Sequence, residues 1–209
     1  MADKKITALT ELTAAIGTDM AVIVDDPGGS PATKKITVAN LIGGAIAAKG
    51  DIYVGTAASA ATALTVGSDA QKLIANSAAT NGVAWIDDDV AIEVMLGNGV
   101  NEILTGVQCY VEMPFAMTIE AARVVSKESG SIVIDVWKDT YANFPPTDAD
   151  TITASAPPTL SSAAKAEDTD LTGWTKALAK GDWLAFNVDS VTTCTLVTLS
   201  LSGKRAGVA

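Results

Sequence analysis

The sequence predicts a mainly β protein that ends in a β-sandwich of jelly-roll type. Three observations carry that expectation. Short runs with alternating apolar and polar residues recur along the second half of the chain. Gly-, Pro- and Asn-rich turn signals and one long loop separate them. Hydrophobic residues make up 48% of the 209 residues and charged residues only 18%, which excludes disorder of the chain as a whole. The same signals divide it into residues 1–45, 46–106 and 107–209.

In residues 1–45, Glu11 to Ala15 can start a short helix with Thr10 as N-cap, ended by Gly17. MAVIVDD (Met20 to Asp26) is a β-rich run stopped by Pro27, Gly28 and Gly29. KKITVANLI (Lys34 to Ile42) reads as a strand leading into a helical turn, so the two runs and their loop predict a hairpin.

In residues 46–106, DIYVGT sets Ile52 and Val54 on one side and Tyr53 on the other. Leu64 and Val66, a Gly-Ser-Asp turn, then Leu73 and Ile74 follow. Asn81-Gly82 signals a turn before Val83 and Trp85. These are short strands of small residues. Aromatics are only 5% of the chain, and small side chains bury little area each. A core shared between copies is the natural remedy, so composition already points to an oligomer. The Asp87-Asp88-Asp89 run reads as a solvated turn, because a calcium site needs six or more oxygens from several positions. Gly97-Asn98-Gly99 reads as a turn and not a nucleotide loop.

In residues 107–209, VQCYVEM places Val107, Cys109, Val111 and Met113 opposite Gln108, Tyr110 and Glu112. MTIEAARVVSK is a strand that Glu128, Ser129 and Gly130 should end. SIVIDVW alternates Ile132, Ile134 and Val136 against Val133, Asp135 and Trp137. GDWLAFNV puts Leu184, Phe186 and Val188 on one face, and TLVTLSLSG does so with Val197, Leu199 and Leu201. Between them runs a Pro-punctuated loop, Tyr141 to Leu160.

Composition also removes whole classes of function. A net charge of −10 argues against a nucleic-acid partner, which needs clustered Lys and Arg. There is no histidine, hence neither the usual general base nor the commonest metal ligand. No cofactor or metal motif is present. Cys109 and Cys194 form no CxxC motif and read as two buried free thiols, with a bridge across a sheet as the alternative. The longest apolar run, Leu41 to Ala48, is far short of the roughly 20 residues a membrane span needs. No signal peptide is recognisable at the N-terminus, and the chain reads as soluble and cytoplasmically made.

The first two regions carry a resemblance. KKITALTELTAAIGTDMAVIVDD and TKKITVANLIG resemble the opening of tailed-bacteriophage fibre proteins, on Lys5 to Leu9, Ala21 to Val24 and Lys34 to Leu41. GDIYVGTAASAATALTVGSDAQKLIANSAATNGVAWI looks like an element that recurs in phage fibres. The match falls on Gly50, Asp51, Gly55, Thr56, Leu64, Val66, Gly67, Gln71, Leu73, Gly82 and Trp85. SGSIVIDVWKDTYANFPPT and LTGWTKALAKGDWLAFNVDS are similar to a terminal β domain of phage structural proteins.

The resemblance implies a virion protein assembled in the host cytoplasm. It implies a homotrimer whose residues 1–45 attach to a phage tail or capsid protein, with 46–106 as a β-rich trimeric shaft. In such a shaft Ala57, Ala58, Ala60, Ala61 and Ala63 can approach the axis. The alternative within the same resemblance is a capsid decoration, cement or head-fibre protein with no receptor role.

Two site readings follow. Some phage spikes hydrolyse glycans with paired carboxylates. Asp135, Asp139, Asp168 and Asp170 are present, but the long solenoid that often houses such activity is not, so no catalytic residue and no enzyme is expected. A binding role suits the loop better, since function concentrates on loops displayed by rigid scaffolds. Tyr141, Asn143 and Phe144, with Trp137 beneath them, are the candidate receptor-binding residues for a host surface glycan. The competing reading folds Tyr141 and Phe144 back over the sandwich edge. Trp174 and Trp183 are expected in the core or the trimer interface.

Overall fold

A computed structural model describes residues 20–25, 32–37, 46, 48–57 and 60–207. The expected helix at Glu11 to Ala15 and the helical turn after Thr37 lie outside the described residues. The chain forms two compact units, one of Met1–Gly67 with Leu73–Ala84, the other of Ser68–Lys72 with Trp85–Ala209.

The first unit is built from hairpins. Strands β1 (Met20–Asp25) and β2 (Ala32–Thr37) pair antiparallel, with Met20 opposite Thr37. Strands β3 (Ile52–Ala57) and β4 (Ala60–Leu64) pair with Ile52 opposite Leu64. The predicted alternation holds in β3, where Ile52 and Val54 are half-buried and Tyr53 is exposed. The Asp51 carboxylate accepts from the Ala48 N–H at 2.9 Å and the Val66 N–H at 3.2 Å, which fastens the start of β3 to the chain beyond β4. Strands β5 (Lys72–Ala75) and β6 (Val83–Ile86) form a third two-stranded sheet. The Asn76 N–H donates to the Gly82 carbonyl at 2.8 Å, and Gly82 takes φ +70° to close that turn. No described side chain before Val94 is fully buried.

The second unit holds a core. Its strands are β7 (Asp89–Gly97), β8 (Gly106–Glu112), β9 (Met117–Thr140), β10 (Thr159–Asp168), β11 (Ala177–Leu178), β12 (Asp182–Thr192) and β13 (Leu196–Arg205). They form one curled antiparallel sheet in the order β7-β13-β9-β12-β8, with β10 and β11 also paired to β9. The mainly β class is therefore as the sequence predicts. β7 lies within the 46–106 stretch, yet all nine of its residues pair with β13.

The 24-residue strand β9 organises the sheet. Glu128, Ser129 and Gly130 do not end it, contrary to the sequence reading. Val124 faces both Leu199 of β13 and Ala166 of β10, while Ile132 faces both Val191 of β12 and Leu160 of β10. So β12 and β13 follow one another along one edge of β9, and β10 takes the other. The corner between the halves lies at Gly130, whose Cβ, if present, would sit 2.6 Å from the Cys194 Sγ and 2.7 Å from the Thr192 carbonyl. Curled sheets turn corners in this way, by bends and bulges in strands that continue through them. Both halves feed a single core, with Ile119 and Val124 from one half of β9 and Ile132, Ile134 and Val136 from the other. Leu184, Phe186, Val188, Val197, Leu199 and Leu201 complete it as the alternation predicted.

The aspartate run is more than a solvated turn. Asp87 accepts from Lys204 at 2.6 Å and from Gln71 at 3.0 Å. Asp88 pairs with Lys72 at 2.6 Å and Arg205 at 2.8 Å. Both carboxyls are held below their ordinary value, Asp87 chiefly by Lys204 and Asp88 chiefly by Lys72.

Candidate functional site: an aromatic face with flanking carboxylates

The outward face of the β8-β12-β9 half is fixed by register. Trp183 of β12 stands opposite Glu112 of β8 and Asp139 of β9. Ala185 stands opposite Tyr110 on one side and Trp137 on the other. Directly opposed residues in antiparallel strands bring their side chains into contact range, about 4.5–5.5 Å between Cβ atoms. The face thus carries a row of carboxylate, indole and carboxylate beside a row of phenol, methyl and indole.

The chain leaving β9 then returns across this face. A 3-10 turn at Tyr141–Asn143 reverses it, with the Phe144 N–H donating to the Tyr141 carbonyl. Phe144 meets Tyr110 edge-on at 4.9 Å between centroids and Trp183 at 5.2 Å, and Tyr141 lies 6.2 Å from Trp183 at a tilt of 38°. These are favourable aromatic geometries. The cluster is nonetheless open to solvent. Tyr141 is 75% exposed, Phe144 42% and Tyr110 41%.

Three sets of hydrogen bonds hold the loop. Asp139 Oδ1 accepts from the Thr140 N–H at 2.6 Å and from Asn143 Nδ2 at 3.1 Å, and these donors keep its carboxyl below the ordinary value. A second 3-10 turn, Asp148–Asp150, carries a capping box in which Asp150 Oδ2 accepts from both the N–H and the hydroxyl of Thr147 at 2.8 Å. Finally, the buried Asp135 accepts from Trp137 Nε1 at 2.7 Å, from the Val136 N–H at 2.7 Å and from Thr151 Oγ1 at 2.7 Å. The hydroxyl of the fully buried Thr153 donates to it as well. Next to it Thr151 bridges to Trp137, and the Ile152 N–H donates to the Val136 carbonyl at 2.9 Å. The returning chain is clipped to the edge of β9.

Of the predicted site residues, Tyr141, Asn143 and Phe144 fall together on this surface. Trp137 lies on the same sheet face, but its indole N–H serves Asp135, and the indole against Phe144 is that of Trp183. Tyr141 and Phe144 do fold back over the sheet, as the competing reading held, without losing their exposure. Trp174 is a core residue whose Nε1 donates to the Ala156 carbonyl at 2.9 Å. Tyr110 and Trp183 are the members that sequence reasoning missed.

Asp168 Oδ1 accepts from the Asp170 and Leu171 N–H groups at 2.9 and 3.0 Å, closing the turn after β10. Asp189 is pushed above its ordinary value, mainly by burial. Cys109 and Cys194 are free thiols; burial pushes the Cys109 thiol up, and the Cys194 Sγ lies 3.8 Å from the Ser131 carbonyl. Among the described residues no group of three or more His, Cys, Asp or Glu is placed to hold a metal ion, and no helix is long and apolar enough to cross a membrane.

No protein-family model matches the chain, and comparison with curated proteins and with solved structures gives no match either.

Proposed function

We propose that the protein is a non-enzymatic structural component of a phage virion. It is a homotrimeric fibre that attaches to a tail or capsid protein through residues 1–45 and offers its C-terminal aromatic face to host surface glycans. The observation that carries the binding role is the aromatic cluster in which the exposed Tyr110, Phe144 and Tyr141 surround the half-buried Trp183. Exposed aromatics on a loop this firmly clipped form a pre-organised stacking surface, and pre-organisation lowers the entropy lost on binding. Sugar rings stack on such surfaces while their hydroxyls bond to nearby amides and carboxylates, here Asn143, Asp139 and Glu112.

The fibre role rests on the motif resemblance and gains support from the hairpins of the first unit. Val22 is 74% exposed, Met20 61% and Tyr53 56%. Isolated two-stranded hairpins are marginally stable in water at best, so these strands gain most from packing against the same strands of two further copies.

A glycan array tests the binding role. Wild type is expected to bind at least one host-type glycan, and Tyr141→Ala and Phe144→Ala to lose most of that signal. Absence of wild-type binding would remove the receptor role and leave a decoration or cement protein. Immunolabelling of intact particles separates a tail from a capsid location.

A further inference from the structure

The charge around the aromatic face restricts what can sit on it. Trp183 lies between Glu112 and Asp139 in the sheet register, so a ring stacked there meets a carboxylate on either side. Glu112 is exposed and Asp139 partly so. The Thr140 N–H and the Asn143 amide both donate to Asp139 Oδ1, which fixes this carboxylate in place beside Trp183. Lys138, the neighbouring cation on β9, is committed to Asp182 at 3.3 Å. Indole and phenol faces themselves attract cations. The net charge of −10 adds a field of the same sign.

Resting on the reading of this face as a glycan site, we propose that it selects glycans bearing free amino groups. The sugar ring stacks on Tyr141 and Trp183, and its ammonium groups are drawn to Glu112 and Asp139. Uronate-, sialate- or phosphate-bearing glycans are turned away by the same two carboxylates. Glu112 and Asp139 are thus specificity-determining residues, while the aromatics supply the sugar-independent part of the affinity.

The test is calorimetry on the full chain at mildly acidic pH and low salt with three probes: oligoglucosamine, its N-acetylated counterpart and oligogalacturonate. Oligoglucosamine should bind tightest and weaken as salt is added, and oligogalacturonate should bind weakest. Glu112→Gln and Asp139→Asn should each lower oligoglucosamine affinity about two- to fivefold, the range of an exposed ion pair, a larger loss than either variant causes with the acetylated oligomer, so that the ratio of the two affinities falls. Tyr141→Ala should weaken both. Equal affinity for all three probes, or a preference for the uronate, overturns the charge selection and leaves a glycan site standing. Binding of none overturns the selection and the glycan site together.

Discussion

Asp135 shows how one residue positions a surface it does not itself present. Its carboxylate is 7% exposed and collects donors from Trp137, Val136, Thr151 and Thr153. A buried acceptor serving several donors is costly to remove, because each donor left unpaired forfeits its hydration as well as its bond, about 1–3 kcal/mol for one such group. Asp135→Ala is therefore expected to lower unfolding stability by about 2–4 kcal/mol in urea titrations. It should also weaken glycan binding, because the returning chain that carries Phe144 loses its clip. An Asp135→Ala protein of wild-type stability would show that the carboxylate is dispensable to the loop. At the same scale, the local part of the site was legible in sequence and the rest was not. Tyr141, Asn143 and Phe144 are neighbours in the chain, so composition alone groups them. Tyr110 and Trp183 reach Phe144 only through the β8-β12 register, which alternation does not specify. Nearness in sequence favours Trp137 as the supporting indole; the register puts Trp183 there.

Element by element, the strands that alternate cleanly were the readable ones. β12, β13 and the second half of β9 bury the residues that their period assigns inward. β7 carries the same signal in Val90, Ile92, Val94 and Leu96, but its flanking aspartates and Gly97–Gly99 turn make the stretch look like a connector. β10 is hidden for a different reason. Its pairing with β9 slips at Leu160/Ala163 and again at Ala163/Lys165, and each slip breaks the two-residue period. The reading of Glu128-Ser129-Gly130 as a strand end fails because a strand turning a corner needs the same small and polar residues as a turn does. That corner is testable. A methyl at position 130 would meet both the Cys194 sulfur and the Thr192 carbonyl at less than van der Waals distance. Gly130→Ala should cost about 1–3 kcal/mol, the usual penalty of overpacking, read as a lower urea midpoint with unchanged m-value. A neutral outcome would mean that the two halves of β9 are free to shift at the corner.

At the scale of the whole molecule, small-residue composition argues for a shared core, and the structure narrows where that argument applies. The second unit owns a core of ordinary Leu, Ile, Val, Met and Phe side chains, many of them with no exposed surface, and on physical grounds asks for no partner. The hairpins are the opposite case, with no fully buried side chain before Val94 among the described residues. If association stabilises the chain, it should therefore be encoded by the hairpins. The full protein is expected to sediment as a species of about three times the 21.3 kDa chain, and to unfold at a temperature that rises with protein concentration, as mass action requires of a trimer. A fragment spanning residues 85–209, which lacks all three hairpins, should still fold cooperatively, yet sediment as a monomer with a concentration-independent midpoint. A full chain that is monomeric would remove the shared-core explanation of residues 46–84. A fragment that remains trimeric would move the association surface onto the curled sheet, where the exposed aromatic face would then compete with glycan as its occupant.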